Sequence, residues 1–201
     1  RSMGSVWWIT ATLVCLLAAT YFFYSRRSVA VSKSAYAYEV GLARRKLRQM
    51  SKAIQTTGQA GHAFGLPVMT GTEKLGLRKG GVLQVQDGYV DAMGSTTYRS
   101  LVRELISKHG LVPLVCPDLS RITVGGAIAG VATGSSSFKH GFVHDTLLEA
   151  DVLLGSGDVV TCSWNQNREL FQALPNSMGT IGFILRARLR TEPVHAHLRL
   201  R

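Results

Sequence analysis

Cysteine and proline are scarce in this chain, and acidic residues are almost missing from its first sixty positions. The three cysteines, Cys15, Cys116 and Cys162, lie far apart among 201 residues, and no C-x-x-C pair occurs. That excludes a disulfide framework and a thiolate zinc site, leaving three free thiols suited to a reducing compartment. No G-x-x-x-x-G-K-[ST] loop is present, and no helix-opening G-x-G-x-x-G follows a strand with an acidic partner downstream. The histidines stand at no ligand spacing with carboxylates. No metal is therefore expected, and neither a triad nor a carboxylate pair names a catalytic residue. The shortage of acid is local: up to Ala60 nine Lys or Arg face the single Glu39, a net +8, whereas the remainder carries fourteen against eleven, a net +3. Aromatics are not interleaved with these charges and no recognition motif appears, which argues against a nucleic-acid partner.

Charge is also missing from Val6 to Tyr24, which reads VWWITATLVCLLAATYFFY. As a helix rising about 1.5 Å per residue, such a run approaches the ~30 Å of a bilayer's hydrocarbon core. Trp7 and Trp8 at one end and Tyr21 and Tyr24 at the other suit the two interfaces, and Arg26 and Arg27 follow. A secretory signal carries its positive charges before the apolar stretch, not after it. The expectation is one transmembrane helix, its basic side facing the cytosol or a mitochondrial matrix. What remains suffices for one domain with a real core.

Along that remainder, Val40, Ala43, Leu47, Met50 and Ile54 recur at helical spacing, which predicts a basic helix over 34–54, either lying on the membrane or packed by one stripe. A short strand-like run leads into the Gly-rich TTGQAGH. GVLQVQDGYVDAMGS predicts two strands turning at Asp87-Gly88. TTYRSLVRELISKHG predicts a helix capped by Thr97, with Leu101, Leu105 and Ile106 inward and Gly110 ending it. LVPLV reads as a strand kept at an edge by Pro113. TLLEADVLLGSGDVVTCS predicts two strands about a turn, and NRELFQALPNSMG a short helix. In TIGFILRARLRTEPV, Ile184, Arg186, Arg188 and Arg190 alternate with Leu185, Ala187 and Leu189, predicting a half-buried strand with a basic outer face. This order of elements indicates an α+β domain.

Between these elements lies VGGAIAGVATGSSSFKHG, with five glycines and three consecutive serines. Without a Cβ the main chain can approach a ligand closely, and a run of turns with free N–H groups suits a phosphate. Hydroxyls add donors without bulk. Composition here fits a long, flat cofactor carrying a diphosphate.

The window DLSRITVGGAIAGVATGSSSFKHGFVHD, with ADVLLGSGDVVTCS, ELFQALPNSMGTIGFILRARLR and TTGQAGH, resembles the FAD-binding domain of the vanillyl-alcohol-oxidase (PCMH-type) flavoproteins. Within that group it looks most like the Δ24-sterol reductases, which also carry an amino-terminal anchor. The likeness covers roughly residues 51–194 and lacks the carboxy-terminal substrate domain. It implies two small mixed sheets with flanking helices after one transmembrane helix. The implied organisation is an anchor with flanks over 1–27, a basic juxtamembrane helix over 28–55, the FAD-binding domain over 56–194 and a basic tail over 195–201.

The resemblance further implies FAD, held without a covalent link. Gly58, Gln59, Ala60, Gly61 and His62 would hold its pyrophosphate. Thr123, Gly125, Gly126, Gly130, Thr133, Gly134, Ser135 and Ser136 would run beside the flavin and ribityl chain. Gly179, Ile181 and Gly182 would bracket the adenine end. Lys139 and His140 border that site and are the side chains to test for chemistry. With no wall over the flavin, the expectation is a non-catalytic accessory subunit of a larger membrane complex. Its partners would be other subunits and the lipid bilayer, in the mitochondrial inner membrane first and the endoplasmic reticulum second. The alternative is an active FAD-dependent oxidoreductase related to Δ24-sterol reductase, its substrate wall supplied by another chain.

Overall fold

A computed structural model describes residues 31–49, 54–56, 73–75 and 80–195. The apolar run from Val6 to Tyr24, the loop Gly58–His62 and the tail beyond His195 lie outside them. No helix among the described residues is long and apolar enough to cross a membrane.

The chain order is α1 (Lys33–Gln49), β1 (Ile54–Thr56), β2 (Glu73–Leu75), β3 (Val82–Gln86), β4 (Tyr89–Met93), α2 (Tyr98–His109), β5 (Leu111–Pro113), α3 (Val124–Ala129), α4 (Ser137–His140), a 3-10 turn (Val143–Thr146), β6 (Leu147–Leu154), β7 (Val159–Ser163), α5 (Arg168–Ala173) and β8 (Gly182–Pro193). Strands β3-β4-β8-β6-β7 form one sheet in that order, with β5 added to the far end of β8. Every pairing in it is antiparallel. The small pair β1-β2 is parallel. The two sheets expected as mixed are thus one antiparallel sheet and one parallel pair. Hairpins such as Asp87-Gly88, where Gly88 takes φ 81°, can join antiparallel neighbours directly.

The main core lies on one face of the sheet, where α2, α3 and α5 contribute Leu101, Leu105, Val124, Ile128 and Phe171 against Val90, Val152, Ala187 and Leu189. Fully burying such side chains stabilises the fold by about 1.5–3 kcal/mol each. Helix α2 begins as the sequence indicates: the Thr97 hydroxyl accepts the Ser100 N–H, and Gly110 closes it in the left-handed region. Ile106, expected inside, is 45% exposed. The helical period puts Tyr98, Leu101 and Leu105 inward and turns Ile106 a further 100° toward solvent.

Helix α1 packs on the other face. Ala43 and Leu47 bury against Leu153 and Leu185. The Tyr36 hydroxyl donates to Asp151 at 2.8 Å, and Arg44 donates to the Gly157 carbonyl at 3.0 Å. The packed-stripe reading therefore holds, and the apolar side of α1 is spent on the sheet. The helix ends before Ile54, which the periodicity had included; Ile54 instead pairs with Glu73 in β1-β2.

Strand β8 departs from simple alternation. Asp151 pairs with Arg186 and Val152 with Ile184, so Leu185 is an extra residue in β8. Such a bulge reverses the facing of what precedes it. Ile184 joins Ala187 and Leu189 in the main core, while Leu185 turns to α1. Nor is the arginine side a free basic face. Arg186 donates to Asp91 at 2.8 Å, to Asp151 at 2.7 and 2.9 Å, and to Glu149 at 2.5 Å. Arg188 donates to both oxygens of Asp91, at 3.0 and 2.8 Å. Cross-strand neighbours on β4 and β6 supply the carboxylates, a match invisible along one strand. Burial pushes the Asp151 carboxyl up, but hydrogen bonds from Arg186, Tyr36 and Thr161 outweigh it and hold the group below its ordinary range. Burial likewise disfavours the Arg186 charge, and the carboxylates more than restore it.

Candidate functional site

The Gly-rich window does not form a string of turns. Val124, Ala127 and Ile128 have the spacing of one helical face and are fully buried, so the stretch folds as the short helix α3. Thr123 caps it, its hydroxyl accepting the Gly126 N–H at 3.1 Å. The Val124 N–H is bonded to the Thr96 carbonyl and that of Gly125 to the Gly94 carbonyl, each at 2.8 Å. The N–H groups expected to form an anion nest here are spent inside the protein.

Several of the expected site glycines answer to the chain's own packing. A Cβ on Gly134 would stand 2.1 Å from the Cys116 carbonyl oxygen, and one on Gly182 would stand 2.6 Å from that of Leu153. Gly134 has to be bare because the segment 113–117 runs directly beneath it: Pro117 and Gly134 form a bridge, and the Ser136 hydroxyl donates to the Leu114 carbonyl at 2.6 Å. The Gly134 N–H is bonded to the Ser137 hydroxyl. Gly130, the C-cap of α3, donates to the Gly126 carbonyl.

A strained belt follows α3. Val131 has φ 54°, in the left-handed region that a β-branched residue rarely adopts. Val131 N–H to Ile128 O and Ala132 N–H to Ala127 O make this a Schellman end, where glycine is the usual occupant. Asn176, Met178 and Gly179 are also at positive φ. The two stretches touch, because the Met178 N–H donates to the Ala129 carbonyl at 3.2 Å. Two of the three segments expected around the cofactor are thereby brought together. The third, Gly58–His62, lies outside the described residues.

At this junction the surface has room and unused chemistry. Gly179 would meet nothing within 4 Å if it carried a Cβ. Met178 is 55% and Ile181 36% exposed, an apolar rim unusual beside so much polar backbone. Thr133, Ser135 and Lys139 are exposed, and the fold described above engages none of their side chains. Hydroxyl donors beside an apolar edge fit the polar chain and flat ring of a dinucleotide-flavin. Lys139 presents its charge to solvent, whereas His140 is half-buried with its Nε2 3.9 Å from Glu192. Cys116, beneath the window, has its thiol pushed up to about 11 by burial and by Glu192. It is a poor nucleophile. The sequence reading missed Val131, Asn176 and Met178, since side-chain identity carries little signal for positive φ outside glycine. The turn-prone Pro175-Asn176 was the available hint.

The FAD binding domain family matches residues 40–163. Cytokinin dehydrogenase 6 of Oryza sativa subsp. japonica is 40% identical over 111 residues, 55% of this chain and 21% of that protein. Cytokinin dehydrogenase 2 of the same plant is 34% identical over 147 residues, 71% of this chain and 26% of that protein. Among solved structures, 6-hydroxy-D-nicotine oxidase from Arthrobacter nicotinovorans superposes with a TM-score of 0.66 at 21% identity, covering 77% of this chain and 34% of the oxidase. A glucooligosaccharide oxidase from Acremonium strictum, described as carrying a 6-S-cysteinyl, 8α-N1-histidyl FAD, gives 0.64 at 22% identity, covering 76% and 33%. At such identities the structures speak for the fold alone. The chain spans about a fifth to a quarter of the curated relatives' length.

Proposed function

The chain belongs to the FAD binding domain family of PCMH-type flavoproteins and its cofactor is FAD; on that premise we propose that it is the cofactor-holding part of an FAD-dependent oxidoreductase acting on a cytokinin. The likeness to cytokinin dehydrogenases carries this reading, and the contact between Ala129 and Met178 supports it. When bound, FAD supplies an acceptor for the electrons removed from the substrate. Thr133 and Ser135 would donate hydrogen bonds to its polar chain. Gly179 admits close approach of the main chain, and Met178 and Ile181 would shield the adenine ring from water. Lys139 would offset anionic charge, and Gly58, Gln59, Ala60, Gly61 and His62 would hold the pyrophosphate without a covalent link. Desolvation of the flavin requires a wall over this junction, because reacting groups left in water lose electrostatic leverage.

A second reading makes the protein a membrane-anchored accessory subunit, with a bilayer and other subunits as partners, in the mitochondrial inner membrane before the endoplasmic reticulum. The uncharged run Val6–Tyr24 followed by Arg26 and Arg27 favours it. A sterol-type alternative keeps the protein an active FAD-dependent oxidoreductase related to Δ24-sterol reductase, its substrate wall supplied by another chain. Purification of the native protein with its partners, followed by absorbance and turnover assays, separates the two. Stoichiometric flavin, released by acid precipitation and reducible by a cytokinin, supports the first reading and its non-covalent link. Flavin reduced only by a nicotinamide in the presence of a sterol favours the sterol-type alternative. Bound flavin that no substrate reduces, in an assembly held at a membrane, favours the accessory role. A native preparation without flavin refutes the cofactor placement.

A further inference from the structure

Gly94 lies outside the Gly-rich window and just past β4, yet the start of α3 hangs on it. Its N–H donates to the carbonyl of Leu185, the bulge residue of β8, at 2.8 Å, and its own carbonyl accepts the Gly125 N–H at 2.8 Å. The next residues continue the zipper: Thr96 O accepts from Val124 N–H, Thr97 bridges Thr123, and Tyr98 N–H donates to Ile122 O. The segment 94–98 therefore sets where residues 122–126 begin. A Cβ on Gly94 would stand 1.8 Å from the Ile184 carbonyl oxygen and 2.7 Å from its carbon, both rigid backbone in the middle of a sheet. On the opposite side, a Cβ on Gly125 would meet the Gly94 oxygen, the Ile184 Cβ and the Ile184 oxygen, each at 3.3 Å. Three main chains are thus stacked with only the Ile184 Cβ beside them, and β8 is the fixed member because β6 pairs it at Ile184 and β4 pairs it from Arg186 to Arg190.

We propose that Gly94 is a positioning residue for cofactor binding: its missing side chain seats the start of α3 against β8 and so fixes the segment Thr123–Ser136 relative to residues 176–181. This rests on the reading that those two segments face FAD. Any side chain at 94 has to push its own segment away from β8, carrying the Thr123 cap and α3 with it. A misplacement of about 1 Å in a positioned site can cost two orders of magnitude.

The test compares the FAD dissociation constant, the vibronic shape of the bound-flavin spectrum and the thermal midpoint of the intact protein for wild type, Gly94→Ala and Leu105→Ala. Leu105 is fully buried in α2, so its truncation lowers stability without touching the stack. The expected result is FAD affinity at least about tenfold weaker and a blurred spectrum for Gly94→Ala, equivalent to about 1.4 kcal/mol, with Leu105→Ala within about twofold of wild type at a comparable loss of thermal midpoint. Equal FAD affinity for Gly94→Ala and wild type overturns the proposal, as does equal weakening in both variants. If Gly94→Ala does not fold, Gly125→Ala decides, because its methyl needs only a few tenths of an ångström and points into the same contact. Weakening of about threefold upholds the proposal and unchanged binding overturns it, the expected loss being smaller than for a 1 Å misplacement. Wild type that binds no FAD removes the underlying site reading itself, an outcome distinct from either.

Discussion

Replacing Arg186 with leucine tests how the second face of the sheet is held. The guanidinium touches Asp91, Asp151 and Glu149, and its side chain is only 13% exposed. Leucine fills part of the volume but leaves Asp91 and Glu149 to share Arg188, and Asp151 to the Tyr36 and Thr161 hydroxyls. Removing one partner of a buried ion pair costs about 3–5 kcal/mol, chiefly through the charges left behind. For a domain of this size that is about 10 °C in the thermal midpoint. The pH dependence identifies the cause. In the wild type, Asp151 is held below its ordinary range, so its contribution is complete above the unfolded carboxylate value and is lost only as pH falls through the lower folded one. Without the guanidinium, burial dominates at Asp151, and a carboxyl raised in the folded state gains stability by taking a proton as pH falls. Urea unfolding at pH 7 and pH 5 should show the gap between variant and wild type narrowing on acidification. A loss under about 1 kcal/mol, or a gap that stays constant with pH, refutes the account. Arg186→Lys should fall between the two, because an ammonium reaches fewer oxygens than the fork.

Val131→Gly relieves a left-handed β-branched residue and should stabilise the protein by about 1 kcal/mol in the same assay; a loss would mean that the Val131 side chain contributes more packing than its backbone costs. Thr97→Ala removes the cap of α2 and should cost about 1 kcal/mol, with Thr97→Ser recovering most of it. Burial, and then the nearby Asp151, pushes the Cys162 thiol up to about 11 from 9.0, and Cys116 reaches about 11 through burial and Glu192. Both should react with a disulfide reagent at pH 8 about a hundredfold more slowly in the folded protein than in denaturant. Rates that match would show the thiols to be open.

Local signals decided much here. The helix from Thr97 to Gly110, the turns at Asp87-Gly88 and Gly155–Asp158, and Pro113 at a sheet edge were legible because a cap, a positive φ or a missing N–H is a property of one residue and its neighbours. Membership of the FAD binding domain family was legible for the same reason, because the resemblance rests on a stretch of chain read residue by residue. Tertiary structure alone decided three other things. It set the facing of Ile184 and Leu185, because a bulge opposite β6 shifts a parity that the sequence of β8 cannot contain. It converted an apparently basic strand face into a carboxylate network, because the partners of Arg186 lie 35 to 95 residues away. And it gave Gly94, Gly125, Gly134 and Gly182 their reason for being glycine. At these four positions a missing Cβ matters because another segment passes, and where segments pass is fixed by the packing of the whole sheet.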